Sequence, residues 1–298
     1  MADSNRDTLY RNKHTSTSEK SRKALLIQGV RDEEQMLAAL FPPEQWNVVV
    51  APDNQTALEI ATSDKFDLVV TSAMTKTAED VLLLRRLRMA RPHTRMIILT
   101  EKKVAGDVLD ALRYHAFSFF SAPFDRDNFR TLLQHVLDEP EWDDGIELIQ
   151  GTPDFVTLAV RCSHVTLDRL EQFTREALPL PKAENEEVTA AFREIVMNAM
   201  EHGGKFDPNQ YVEVTYLKSK RQVMCYVKDP GTGFSLQEVL EDAKRWEAID
   251  SASLSKVEVS DTLPRGLGIL IAEKFVDELI YSEKGNDVVL IKYLPRTG

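Results

Sequence analysis

The sequence predicts an α/β chain in two successive domains, and three observations carry that reading. From 23 to 137, short apolar runs alternate with helical patterns, the signature of a parallel sheet covered on both faces. At 138–150 the composition turns acidic and includes Pro140 and Gly145, as a domain boundary would. Past it, a second set of helices and strands carries polar residues and glycine turns of one chemical character. At 298 residues the chain exceeds the usual size of one domain, and each half is long enough for its own core. The expected division is a tail over 1–22, a first domain over 23–137, a linker over 138–150 and a second domain over 151–298.

The elements follow in order. Residues 1–22 are rich in Ser, Thr, Asn, Asp, Lys and Arg, and predict a disordered tail. Strands are expected at 24–27, 46–50, 68–71, 96–100 and 118–120, with helices near 32–40, 54–63, 78–88, 106–115 and 126–136. The second half opens with a strand near 154–161 and a helix near 167–178, broken at Pro179 and Pro181. A helix through 192–204, strands at 211–217 and 222–228, a helix at 270–275 and strands at 278–282 and 287–293 complete it.

Composition narrows the function. A hydrophobic fraction of 43% and a charged fraction of 29% are ordinary for a soluble protein. The net charge of -11, with no basic cluster to offset it, argues against a nucleic-acid partner. The longest apolar runs, 36–41 and 266–272, fall far short of the ~20 residues of a membrane helix. The polar start lacks the apolar centre of a secretory signal. Cys162 and Cys225 have no C-x-x-C neighbour, so free thiols in a reducing cytoplasm are expected.

The chemistry concentrates in three places. In FREIVMNAMEHGG, Phe192, Ile195, Val196 and Ala199 recur at the spacing of a buried helix face, while Glu194, Asn198 and His202 fall at i, i+4 and i+8 on an adjacent stripe. A carboxylate and an amide one turn apart suit a hydrated Mg2+, which binds through few protein oxygens plus substrate phosphates. A strand then runs into Asp229-Pro-Gly-Thr-Gly, where Gly231 and Gly233 let backbone approach a planar ligand and Asp229 can accept an adenine amino proton. Lastly, Arg265-Gly266-Leu267-Gly268 precedes a helix whose first amides would face a phosphate.

The first half resembles the receiver domain of response regulators, a flavodoxin-like doubly wound fold. FDLVV, IILT and APF stand where that family has its third strand, its fourth strand and a Lys-Pro pair. The departures imply lost chemistry. Gln28 and Gly29 replace the acidic pair, Ser72 or Thr71 replaces the phosphoacceptor aspartate, and Ala122 replaces the lysine. The expectation is a pseudo-receiver for docking or dimerising, with no phosphoacceptor aspartate.

The three boxes of the second half, in order, resemble the N, G1 and G2 boxes of the GHKL ATPase superfamily, whose fold is a two-layer α/β sandwich. Within it, REIVMNAMEHG and the ending ILIAEKFVDELIYSEKGNDVVLIKYL look most like the anti-sigma factor serine kinases. The resemblance implies ATP and Mg2+, Asn198 as the metal ligand, Glu194 as the catalytic base and Asp229 as the adenine contact. It also implies a pocket shaped by Gly231, Gly233, Gly266, Leu267 and Gly268, Arg265 near the terminal phosphate, and a lid over 234–265. His202 is counted with the nucleotide-binding set. Where the family has a threonine before the last strand, this chain has Asn286 and Asp287, either of which can supply the acceptor; Asp287 is placed in the binding set. The implied partners are a STAS-domain anti-sigma-factor antagonist or a sigma factor, a PPM-type phosphatase in the same pathway, and a second copy of the chain. A nucleotide-gated sequestering module without phosphotransfer is the alternative. A sensor histidine kinase fragment ranks below both, because too few residues separate His164 from Glu194 for a phosphoacceptor hairpin; His164 is expected at a strand end or exposed to solvent.

Overall fold

The computed structural model describes residues 21–29, 31–139, 142–235, 237 and 267–294. The tail reading therefore lies outside the described residues up to 20, and Arg22 already belongs to a strand. The lid segment over 234–265 falls outside them almost entirely.

The first half holds strands β1 (Arg22–Ile27), β2 (Trp46–Ala51), β3 (Leu68–Val70), β4 (Arg95–Thr100) and β5 (Ser118–Ser121). They alternate with helices α1 (Arg31–Leu40), α2 (Asn54–Ser63), α3 (Thr77–Ala90), α4 (Ala105–Arg113) and α5 (Arg126–Asp138). Every pairing is parallel and the strand order is β2-β1-β3-β4-β5, the flavodoxin-like doubly wound arrangement. Such a sheet is buried on both faces, so its strands read as continuous apolar runs. Ala24–Ile27, Leu68–Val70 and Met96–Leu99 are all buried. Asp53 and Asp125 cap α2 and α5 by accepting from Thr56 N and from the amides of Asp127 and Asn128.

The second half is an antiparallel sheet of order β10-β11-β9-β8-β7-β6. Its strands are β6 (Ile146–Thr152), β7 (Phe155–Arg161), β8 (Tyr211–Lys218), β9 (Gln222–Lys228), β10 (Glu278–Tyr281) and β11 (Asp287–Tyr293). Helices α6 (His164–Ala177), α7 (Lys182–Asn198) and α8 (Leu267–Phe275) pack against it. Burial alternates along the strands: Leu158 and Val160, Val212 and Val214, and Val223, Cys225 and Val227 face the helices. Phe192, Ile195 and Val196 meet them from α7.

Of the stretch 138–150, expected as a linker, residues 142–150 are built into the fold. Ile146 is buried and starts β6, which pairs with β7. Trp142 is buried, edge-on to Phe117 at 6.1 Å, with the Arg88 guanidinium 3.7 Å above its ring. Its acidic composition concealed this, because Asp144 is an internal partner of Arg169 and not a solvated charge.

Helix α6 joins the two halves. β5 is the edge of the parallel sheet, and an edge exposes backbone groups that need partners. A stripe of α6 supplies them at helical spacing. Arg169, with no exposure, donates from Nε to Phe117 O at 2.7 Å and from Nη2 to Ala116 O at 3.1 Å, and also pairs with Asp144. Gln172 Nε2 donates to Phe119 O at 2.8 Å, and Glu176 accepts from the Ser121 amide at 3.1 Å and its hydroxyl at 2.6 Å. Asn128 of α5 donates to Gln172 Oε1 at 2.6 Å. Ser163 accepts from Thr166 N and caps the helix.

Two predictions follow from this packing. Arg169→Ala leaves the buried carbonyls of Ala116 and Phe117 without their donor and Asp144 with only His115 as a partner among the described residues, and should cost about 3–5 kcal/mol, read as a lower urea midpoint of the full chain. Asp80, fully buried on α3, is held at a pKa of about 7, raised by burial against hydrogen bonds from Asn54 and Thr75. The folded state then binds a proton that the unfolded chain has released, so stability should fall as pH rises from about 4 to 7. Asp80→Asn should flatten that slope; an unchanged slope would show that Asp80 ionises as freely in the folded protein as in the unfolded chain.

Candidate functional site

α7 ends at Asn198 and continues as a π-helical turn, Ala199–Gly203. The wider turn closes with Gly204 N donating to Ala199 O at 2.9 Å, and Lys205 and Phe206 follow at φ 56° and 47°. Single π turns inside helices are frequent at functional sites. This one moves Gly203 against the end of β9, where a Cβ at Gly203 would lie 2.2 Å from Asp229 Oδ1. Only glycine permits that approach. Gly203 was part of the motif read in the sequence, but its role was not legible there because the contact is tertiary.

Asp229 Oδ1 accepts from the Gly231 amide at 2.7 Å, and the Asp229 amide donates to Asn286 O at 3.0 Å. Burial is the largest influence on the Asp229 carboxyl and raises its pKa; the Gly231 bond and His202 oppose it, and Asp287 adds to it. Gly233 has φ 82°, and a Cβ there would strike Lys284 O at 1.8 Å, so the β9 turn and the β10–β11 turn are pressed together. Between them and α7 lies a cleft of ≈ 740 Å3 open to solvent. Ile195, Val227, Ile269 and Val288 give it apolar walls, and Asn198, His202, Asp229 and Asn286 supply polar groups. Such a mixture suits a planar ligand with one polar edge.

At the other end, the first turn of α8 meets α7. A Cβ on Gly268 would lie 2.5 Å from Glu194 Oε2 and 3.5 Å from Asn198 Nδ2. Glu194 does not line the cleft but abuts this turn, and burial raises its pKa, with Arg193 lowering it and Glu171 raising it further. A carboxylate with a raised pKa beside amides at a helix start can take a proton while those amides hold an anion. Arg193 itself is bound to α6, donating to Asp168 Oδ1 at 2.6 Å and Glu171 Oε2 at 2.7 Å.

The structure thus brings together Glu194, Asn198, His202, Asp229, Gly231, Gly233 and Gly268. Leu267 opens α8, and Arg265 and Gly266 lie outside the described residues. Asp287 needs correction. It does not line the cleft; its Oδ1 accepts from Tyr226 OH at 2.6 Å. Strand alternation is the reason: Asn286 and Val288 face the cleft, so Asp287 between them faces away. His164 opens α6 and not a strand end; it is exposed, with its ring stacked 4.3 Å from Phe206.

For an adenine nucleotide with Mg2+, the donor set fits. Asn286 Oδ1 is buried with no partner among the described residues. The Gly203 and Gly231 backbone cradles Asp229, and Gly268 leaves room at Glu194 and Asn198. Among the described residues no group of three or more His, Cys, Asp or Glu is placed to hold a metal, so an ion here would need ligand oxygens besides Asn198.

In the first half, Thr71 and Ser72 follow β3 with no exposure. Two buried carboxylates that the sequence did not single out stand near them. Glu33 Oε2 accepts from Ser72 Oγ at 3.3 Å and Ala73 N at 3.2 Å, and Asp80 Oδ2 accepts from Thr75 Oγ1 at 2.8 Å. The Ala122–Pro123 bond is cis. No helix among the described residues is long and apolar enough to cross a membrane.

Comparison with known proteins agrees with both halves. A family model for the response regulator receiver domain matches residues 25–134, and one for the histidine kinase-like ATPase domain matches residues 158–292. Curated proteins give no match. Among solved structures, chemotaxis protein CheY4 of Vibrio cholerae is 19% identical, over 39% of this chain and 99% of that one, with a TM-score of 0.35. The receiver domain of Francisella response regulator 1452 is 20% identical, over 41% of this chain and 100% of that one, with a TM-score of 0.36. A CheY-like receiver domain protein from Methanospirillum hungatei is 17% identical, over 40% of this chain and 95% of that one, with a TM-score of 0.35. The chain therefore joins a response regulator receiver domain, over residues 25–134, to a histidine kinase-like ATPase domain, over residues 158–292.

Proposed function

We propose that this signalling regulator binds ATP with Mg2+ in the second-half cleft and phosphorylates a serine or threonine of a STAS-type partner, as an anti-sigma-factor-like kinase in a partner-switching pathway. The observation that carries the proposal is the meeting of Glu194, Asn198 and Gly268 at the first turn of α8, at one end of a cleft whose other end presents Asp229. ATP supplies the phosphoryl group, and phosphoryl transfer asks the protein mainly for positioning and charge neutralisation. Asn198 holds the metal. Glu194, its pKa raised by burial, orients and deprotonates the partner's hydroxyl. The apolar walls take up the adenine ring, and Asp229 accepts from its amino group. The protein acts in the cytoplasm as a homodimer, opposed by a PPM-type phosphatase.

In this reading the receiver domain is a docking module that carries no aspartyl phosphate. Ser72 or Thr71 stands at the acceptor position, and the Glu33 carboxylate already takes the Ser72 hydroxyl and the Ala73 amide. Ala122 offers no cation to a phosphoryl group.

Purified protein incubated with labelled ATP and the STAS proteins of its host should label one of them. Glu194→Gln should keep ATP affinity and lower transfer by about 10²–10⁴-fold, while Asn198→Ala should lose Mg2+-dependent binding. Binding that Asn198→Ala abolishes, with no transfer to any STAS protein, would leave the nucleotide-gated sequestering module. For the receiver domain, nuclear magnetic resonance spectra with beryllofluoride and Mg2+ should not change; a stoichiometric complex would contradict the docking role.

A further inference from the structure

Glu194 stands next in the chain to a cation. Burial raises its pKa, and among charges Arg193 acts on it most, lowering it, with Glu171 opposing. A carboxylate paired with a guanidinium has its oxygens taken and its proton affinity held down, so a working base here needs that cation kept elsewhere. Helix α6 keeps it. Arg193 Nη1 donates to Asp168 Oδ1 at 2.6 Å and to Glu171 Oε2 at 2.7 Å, and both acidic side chains are largely buried, at 12% and 15% exposure. Partly buried pairs of this kind are screened far less than exposed ones.

The two acids are themselves held. Glu171 Oε1 accepts from Arg175 Nη2 at 2.9 Å, one turn further along α6. Asp168 Oδ2 accepts from His135 Nε2 at 2.7 Å, and His135 belongs to α5 of the receiver domain. Each acid thus gives one oxygen to Arg193 and the other to a partner that fixes its side chain. Neither acid lines the cleft, so contact with nucleotide does not account for them. Two carboxylates on α6 outbid the single carboxylate of Glu194 for the guanidinium, and Glu194 is left against the first turn of α8, where a Cβ on Gly268 would lie 2.5 Å from its Oε2.

We infer that Asp168 and Glu171 are positioning residues for Glu194: they act through Arg193, holding its guanidinium on α6 so that the Glu194 carboxylate faces α8 with no cation upon it, and His135 makes the receiver domain part of that hold. The inference rests on the reading of Glu194 as the base for phosphoryl transfer and goes beyond it by giving the receiver domain a share in the geometry of the base. When the two acids lose their charge, the freed guanidinium turns to the carboxylate beside it in the chain, and Glu194 is tied up in an ion pair.

The test follows transfer from labelled ATP to the STAS protein that the full chain labels, with ATP affinity measured alongside. The double variant Asp168→Asn with Glu171→Gln removes both charges and keeps the shape of both side chains. Its turnover should fall about tenfold to a hundredfold while ATP affinity stays within about twofold, and adding Arg193→Met should return turnover to within about threefold of the unaltered chain, since no loose cation then remains. A contact that only held the fold together would not be mended by removing its third member. If the double variant shows no cooperative thermal unfolding, Glu171→Gln alone, which leaves Arg193 its Asp168 partner, carries the same comparison with a smaller loss. His135→Leu should lower turnover about threefold, and His135→Gln, which keeps a donor, should not. A loss that Arg193→Met does not restore, an equal loss of turnover and ATP affinity, or no loss in any of these variants would overturn the inference and leave Glu194 as the base. Transfer from the unaltered chain to none of the STAS proteins of its host would instead remove the reading of Glu194 as the base, and the inference with it.

Discussion

The edge of the parallel sheet must find hydrogen-bond partners, and that requirement organises this molecule. β5 and the residue before it present carbonyls at Phe119 and Phe117 and an amide at Ser121, and α6 answers them with Arg169, Gln172 and Glu176 along one stripe. The same helix answers the ATPase domain with another stripe. Asp168 and Glu171 hold Arg193, the residue before Glu194, and Asp168 Oδ2 also lies 2.7 Å from His135 Nε2 on α5. Burial opposes charge on Asp168, but His135 and Arg193 hold its pKa below the usual carboxylate value. One helix thus carries both the receiver contact and the ion pairs that seat α7, and α7 carries Glu194 and Asn198.

The cleft depends on a second constraint, the close approach of a helix end to a strand end. The π turn at Ala199–Gly203 and the missing side chain of Gly203 let the backbone touch the Asp229 carboxylate. The turns holding Gly233 and Gly285 interlock on the other side. These contacts set the base end of the site, while Gly268 against Glu194 sets the phosphate end. Positive φ angles at Lys205 and Phe206 show that the chain accepts local strain here, as backbones at ligand sites often do.

Much of this was legible in the sequence, for identifiable reasons. Parallel strands buried on both faces leave continuous apolar runs, so β1, β3 and β4 could be read to within a residue or two. In the candidate site the sequence singles out Glu194, Asn198, Asp229 and Gly268 where chemistry and spacing coincide, and the fold brings them close together. Placements that tertiary contacts decide were not legible. Asp287 looks like a ligand until strand alternation turns it to Tyr226, leaving Asn286 in the cleft. The polar residues Asp168, Arg169, Gln172 and Glu176 carry no apolar signal that would mark them as internal, yet all are buried at the domain contact. The acidic stretch before β6 read as a linker because the partner of Asp144, Arg169, lies far along the chain. Glu33 and Asp80 were passed over for the same reason: helical acids look exposed until the loop after β3 folds over them.

A crystal structure of the full chain with Mg2+ and a non-hydrolysable ATP analogue would test the account most directly. It should place the adenine amino group against Asp229, the metal on Asn198, and the phosphates at the first turn of α8 beside Glu194. A nucleotide bound elsewhere, or bound in this cleft with its base turned away from Asp229, would contradict it.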